Sequence, residues 1–209
     1  MASTQTPYGF RAVNELGGLP YAGSTRSFPI APTGYAVNIY NGSLVYVAAT
    51  GYLQIVTSTG ADDSTNYFPT GSGSSATNSG SIGVFVGCSY VNTQGQTVFS
   101  QYYPANALNA IAFVVDDDRA VFQVQANNTV TASALGSNVF LAAVQSTSTG
   151  STTNGNSTTA VSASSVATTA AFRIVGFVNN AQSQVGDAYT DLLVKFNPGY
   201  HSYTTAVGL

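Results

Sequence analysis

Three adjacent carboxylates, Asp116-Asp117-Asp118, followed by Arg119, form the densest cluster of charge in this 209-residue sequence. Oxygen ligands of that kind are what Ca²⁺ takes, but the spacing is not that of an EF-hand loop. Consecutive side chains on a strand point to opposite sides, so three in a row converge only in a turn, where aspartate is favoured anyway for its local hydrogen bonds. A turn is therefore expected. His201, the sole histidine, stands in the tail Tyr200-His201-Ser202-Tyr203. Nucleophilic hydrolysis needs a base held between a serine and an orienting acid, and one histidine near the end of a tyrosine-rich tail is poorly placed for that. Asp187 and Asp191 come nearest to a glycosidase carboxylate pair, with Glu15 alone near the N-terminus, and solvation of a loop and a strand start explains them better. The single cysteine, Cys88, excludes an internal disulfide and a Cys-rich zinc site, and its setting reads as a strand interior with a small buried thiol. Gly71-Ser72-Gly73 and the Gly83 to Gly87 pair lack the lysine and the strand-turn-helix setting of a phosphate loop. No catalytic, cofactor-binding or metal-ligating set is expected, and the protein reads as a non-enzyme.

The elements that would have to position such residues are short strands. Charged residues make up 6% of the chain, five Lys and Arg with eight Asp and Glu, where roughly 25% is usual. Ser, Thr, Asn, Gln and Gly hold the solvated positions instead, interleaved with Val, Ile, Phe and Tyr. Such a surface costs little to bury, because few ions must be desolvated and few long side chains frozen. An assembly part fits that economy better than an enzyme. A net charge of −3 offers no basic stripe for nucleic acid. No apolar run of about 18 residues marks a membrane span, and no basic, then apolar leader opens the chain, which predicts folding without secretion.

Period-two alternation begins at Tyr35-Val37-Ile39 and resumes at Leu44 to Val47, with Asn41-Gly42 between, a strong hairpin signal. A second hairpin joins Leu44–Ala48 to Tyr52–Val56. Ile82 to Val91 is a continuous apolar run that turns at Asn92-Thr93-Gln94-Gly95-Gln96 into Thr97 to Tyr103, where Pro104 ends the strand. Ala110 to Val115 and Ala120 to Gln125 read as another hairpin closed by the aspartates. Residues 126–145 suit a short helix or a strand near Asn138 to Leu141. Ala170 to Val178 and Asp191 to Phe196 supply two closing strands. About nine strands with turn signals at short intervals predict an all-β, single-domain β-barrel or β-sandwich over residues 30–209.

Three stretches break the alternation. Residues 1–29 carry Tyr8, Phe10, Tyr21 and Phe28 among Gly17, Gly18, Pro20 and Gly23, with Arg11 and Arg26. They read as an extended N-terminal arm, packed on its own domain or docked on another subunit. Residues 57–81, with a possible strand near Tyr67-Phe68, and the Ser/Thr-rich residues 146–169 read as long exposed loops.

Several segments resemble a family of tailed-phage head proteins that decorate or cement the capsid, particularly those of cyanobacterial and marine phages. The matching stretches are Gly9 to Val13 with Leu16 to Tyr21, Gly83 to Tyr90 running on to Phe99 to Pro104, Ala112 to Asp117 with Val121 to Gln125, and Phe172 to Phe177. They fall in the same order over most of the chain. The resemblance implies a non-enzymatic virion protein, made in the host cytoplasm and bound to the outer face of the capsid. Its partner would be the major capsid protein, and it would form a homotrimer near local three-fold axes. A trimer touching several capsomers acts as a multivalent clamp against the pressure of packaged DNA. Tyr8, Phe10, Arg11, Tyr21, Arg26, Tyr200 and Tyr203 are the expected capsid or subunit contacts, since aromatics and arginine dominate interface energies. A carbohydrate-binding or host-attachment module is the alternative, weakened by the absence of tryptophan; a tail or fibre component is another.

Overall fold

The structure, a computed structural model, describes residues 4–58, 80–165 and 169–205. It is all-β. Eleven strands lie among the described residues: β1 (Arg11–Glu15), β2 (Arg26–Pro29), β3 (Leu44–Val47), β4 (Leu53–Ile55), β5 (Gly83–Val91), β6 (Thr97–Ser100), β7 (Leu108–Val115), β8 (Ala120–Gln125), β9 (Asn138–Val139), β10 (Phe172–Phe177) and β11 (Asp191–Phe196). They form two antiparallel sheets packed as a sandwich. The five-stranded sheet runs β1-β8-β11-β10-β9, and the six-stranded sheet runs β2-β7-β5-β3-β4 with β6 also paired to β5. One turn of 3-10 helix, Ala132–Ala134, precedes β9, so residues 126–145 hold both a short helix and a short strand.

Two cores explain why β5 reads as a continuous apolar run. Between the sheets, Leu44, Val84 and Val115 meet Phe122, Val124, Phe172, Ile174, Leu192, Val194 and Phe196. On the opposite face of the six-stranded sheet, Val45, Phe85, Cys88, Ala110, Ala112 and Val114 pack under Ile30, Ile39 and Tyr103 from flanking segments. Neighbours on β5 point to opposite faces, so Val84 enters one core and Phe85 the other. The Tyr103 hydroxyl ties down this cover: it accepts from the Tyr35 N–H at 2.8 Å and donates to the Ala107 carbonyl at 3.0 Å. Burial pushes the Cys88 thiol up to about 12, in keeping with an inert side chain in a strand interior.

The hairpins β3-β4 and β5-β6 form as the alternation predicts, and β10 pairs with β11. Two expected hairpins do not form. Residues 35–40 make only the isolated Ile39–Tyr103 bridge. The Asn41-Gly42 turn closes from Ser43 N–H to the Tyr40 carbonyl, but Gly42 then donates to Phe85 and accepts from Phe10. Likewise β7 and β8 lie in different sheets, because Val115 to Ala120 carries the chain across the sandwich. Alternation marks both strands, while the choice of partner depends on which sheet has an open edge.

Of the two readings of the N-terminal segment, the structure has it packed on its own domain. β1 pairs with β8 in one sheet and β2 with β7 in the other, so residues 4–29 belong to the same sandwich as the remainder of the described residues. Residues 146–165 are also more than an exposed loop. Ser157 donates to the Asn41 carbonyl, Val161 to Gln125, and the Thr159 carbonyl accepts from Gly9. Ser157, Thr159 and Val161 are buried, with the two hydroxyls 2.7 Å apart. Gln145, also buried, bonds through its amide to both the N–H and the carbonyl of Leu44, at 2.9 and 3.1 Å, and to Val56 at 3.0 Å. That side chain ties the start of β3 to the residue just past β4. Hydroxyl-rich composition reads as a loop, yet short hydroxyls bonded to backbone can be buried at little cost. The possible strand near Tyr67-Phe68 and Gly71 to Gly73 lie outside the described residues.

Candidate functional site

Asp116, Asp117 and Asp118 occupy the crossover turn, where the Asp117 carboxylate accepts from the Arg119 N–H at 2.8 Å and its carbonyl from Ala120. Asp116 turns elsewhere. Its Oδ2 lies 3.0 Å from the Arg26 guanidinium and accepts from the Tyr203 hydroxyl at 2.6 Å, while Arg26 donates to that hydroxyl at 2.8 Å. Burial and the neighbouring Asp116 raise the Tyr203 phenol to about 12, with Arg26 opposing. This triad straps the C-terminal tail to β2. With Arg26 largely exposed, such a surface pair contributes modestly.

His201 is fully buried between the rings of Phe196 and Tyr203, and its Nδ1 accepts the Tyr203 N–H at 3.2 Å. Burial lowers its pKa, opposed by Asp118, Asp116, Asp117 and the Ile82 backbone. A folded pKa below the unfolded value of about 6.5 means that the unfolded chain binds the proton more readily, so stability falls as pH drops below that value. One such proton gives a slope of at most about 1.4 kcal/mol per pH unit. Thermal unfolding followed from pH 7 to 5 should show this fall, and His201→Gln should flatten it; parallel profiles for the two proteins would assign the slope to other groups.

The seven expected contact residues divide by position. Phe10 and Tyr200 are buried in the inter-sheet core, which corrects their assignment as contacts. Phe10 packs on Phe172 at 4.9 Å and edge-on to Phe122 at 6.3 Å. Aromatics flanked by Gly and Pro resemble anchors in sequence, but here the glycine-rich chain delivers a ring into its own core. Arg26 and Tyr203 come together around Asp116, and Tyr21 is half-buried with its hydroxyl bonded to the Ser24 carbonyl. Tyr8 and Arg11 meet as a cation-π pair, the guanidinium 4.4 Å from the ring centroid, beside a cleft on the outer face of the five-stranded sheet.

The exposed aromatic surface lies elsewhere. Phe99 on β6 is 75% exposed, and Ile111 and Leu108 on β7 are also open to solvent. Phe99 and Ile111 flank Ser89 in one cross-strand row, and Phe113 lies parallel to Phe99 with ring centroids 6.5 Å apart. Ile111 and Phe113 share the strand face of Val115, which enters the inter-sheet core. The five-stranded sheet covers that face at Val115 and leaves it open toward Ile111. A signal for this existed in β7: the face of Ala110 and Ala112 carries small residues, and the opposite face carries Ile111 and Phe113. Bulk on the second face of a strand calls for a second cover.

These features define a charge-poor antiparallel β-sandwich with an open apolar patch on one sheet. No protein-family model, curated protein or solved structure matches the chain. Among the described residues, no helix is long and apolar enough to cross a membrane, and no group of three or more His, Cys, Asp or Glu side chains is placed to hold a metal ion.

Proposed function

We propose that the protein is a structural, non-enzymatic component of a tailed-phage head, which binds the outer surface of the major capsid protein shell as a homotrimer and stabilises it. The observation that carries this reading is the Phe99-Ile111-Phe113 patch. Large apolar side chains left open on a folded sheet are characteristic of docking surfaces. Few charges surround them, so a partner can cover the patch without desolvating ions. Aromatic residues at the centre of an interface carry a disproportionate share of its binding energy. The sequence resemblance supplies the partner. The clamp therefore acts through the face of β6 and β7, with Arg26 and Tyr203 as exposed polar contacts, instead of through a detached arm.

The test is co-sedimentation with capsids emptied of this protein, counting copies bound per shell. Saturation near the copy number of the major capsid protein, with greater heat resistance of the particle, is expected. A Phe99→Asp, Ile111→Asp double variant should bind at least about tenfold more weakly, with its own unfolding changed by no more than about 0.5 kcal/mol per site. Absence of wild-type co-sedimentation would overturn the proposal, and undiminished binding by the double variant would remove the patch from it.

A further inference from the structure

The cleft beside Tyr8 has a built polar floor that the capsid reading does not use. It lies on the outer face of the five-stranded sheet, measures about 700 Å³, and is bounded by Tyr8, Arg11, Gln123, Asn180, Gln182 and Asp191 among others. Its placement follows from pairing: Arg11 on β1 lies opposite Gln123 on β8, and Asp191 at the start of β11 lies opposite Gln125. The N-terminal segment forms one wall, held where Gln125 accepts from the Thr6 N–H at 2.9 Å and donates to the Thr4 carbonyl at 3.2 Å. The loop after β10 forms the other, shaped by the Asn180 side chain accepting from the N–H groups of Gln182 and Ser183.

Asp191 is more than nine-tenths buried. Its Oδ2 takes a long 3.4 Å bond from the Gln123 amide, and its Oδ1 has no hydrogen-bond partner. The Tyr8 hydroxyl, buried beside that carboxylate, faces it and the Gln123 amide without a hydrogen bond of ordinary length. Leaving such groups short of full hydrogen bonding is costly, and sites that complete their bonds on binding turn that cost into affinity and specificity. Burial holds the Asp191 carboxyl above its ordinary range, with Tyr8, Gln123 and Arg11 drawing it back.

We propose that this cleft binds a neutral saccharide of monosaccharide to disaccharide size. Arg11 and Asp191 bring one charge of each sign, so an anion meets the carboxylate and a cation meets the guanidinium. A polyhydroxylated ring satisfies both, its hydroxyls donating to Asp191 while accepting from Arg11 and the Gln123 amide. The remaining walls are carboxamides and hydroxyls, which offer donors and acceptors without net charge. The volume lies within the range of small-ligand clefts.

The proposal is tested by titrating the full-length, isotope-labelled protein with D-glucose, D-galactose, D-mannose, N-acetylglucosamine and their disaccharides, following backbone amide resonances. At least one sugar should move the resonances of Tyr8, Arg11, Gln123 and Asp191 with a dissociation constant of about 1 to 10 mM. Asp191→Asn should weaken that binding about tenfold, and Arg11→Ala, at the rim, should weaken it severalfold even if the first variant folds poorly. Sugars that leave these resonances unmoved at about 50 mM, shifts confined to other surfaces, or a response only to sodium sulfate or glycine would overturn the proposal. The Phe99 patch lies outside this cleft, so capsid binding and sugar binding fail independently.

Discussion

Gly83→Ala is expected to abolish the native sandwich or to lower its thermal transition by on the order of 10 °C or more. A Cβ at this position would sit 2.0 Å from the Val115 carbonyl oxygen and 2.9 Å from its carbon, and both are backbone atoms. Gly83 also has φ +148, a conformation that side chains resist. Relief requires β5 to move from β7 where β7 ends and the chain crosses between sheets. Overpacking of this kind and backbone strain each cost about 1–3 kcal/mol. Together they consume a large part of the 5–15 kcal/mol that ordinarily holds a domain folded. Gly51→Ala is the matched control: its φ is +79, but nothing lies within 4 Å of the added methyl. That variant should lose only the conformational term, about 1–2 kcal/mol. Urea unfolding of the pair separates collision from strain, and equal losses would show that the crossover yields easily.

Phe10→Ala is expected to cost about 3–5 kcal/mol of folding stability, the usual range for truncating a buried aromatic ring. The ring is 1% exposed and fills the space between Phe172 and Phe122, so its removal leaves a cavity against side chains of two strands. Neighbouring backbone has little freedom to collapse into it, because the Phe10 N–H donates to Gly42 and that of Gly9 to Thr159. The same substitution at Phe99 should leave stability nearly unchanged, since that ring is mostly in solvent. A folding loss at Phe10 with none at Phe99, measured by chemical denaturation, is the signature of one aromatic in the core and one on a binding face. A Phe10→Ala protein of undiminished stability would restore the N-terminal segment as a detachable anchor.

The contrast between those two phenylalanines shows how far local pattern reaches. Phe10 is followed in sequence by Arg11 and preceded by Gly9, a context suited to an exposed anchor, whereas Phe99 alternates within a strand as an inward residue would. Exposure is a property of the layer opposite, and nothing within four residues of either ring specifies that layer. The cleft likewise depends on distant segments. Tyr8, Gln123 and Asp191 belong to three separated segments, and only the pairing of β1 with β8 and of β8 with β11 makes them neighbours. The burial of Cys88 within a strand, by contrast, was legible from its apolar setting.

Period-two alternation, β-branched content and scarcity of charge were enough to establish an all-β protein, to outline most strands, and to identify the tight hairpins β3-β4 and β5-β6, because these depend on residues close in sequence. The crossover at Asp116 to Arg119, the entry of the N-terminal segment into both sheets, and the burial of Ser157 and Thr159 arose only with the packed fold. Each depends on which backbone edge and which sheet face lie open once the other strands are in place. Hydrogen-bonding groups and apolar faces take the partners that geometry leaves available, and those partners lie far away along the chain.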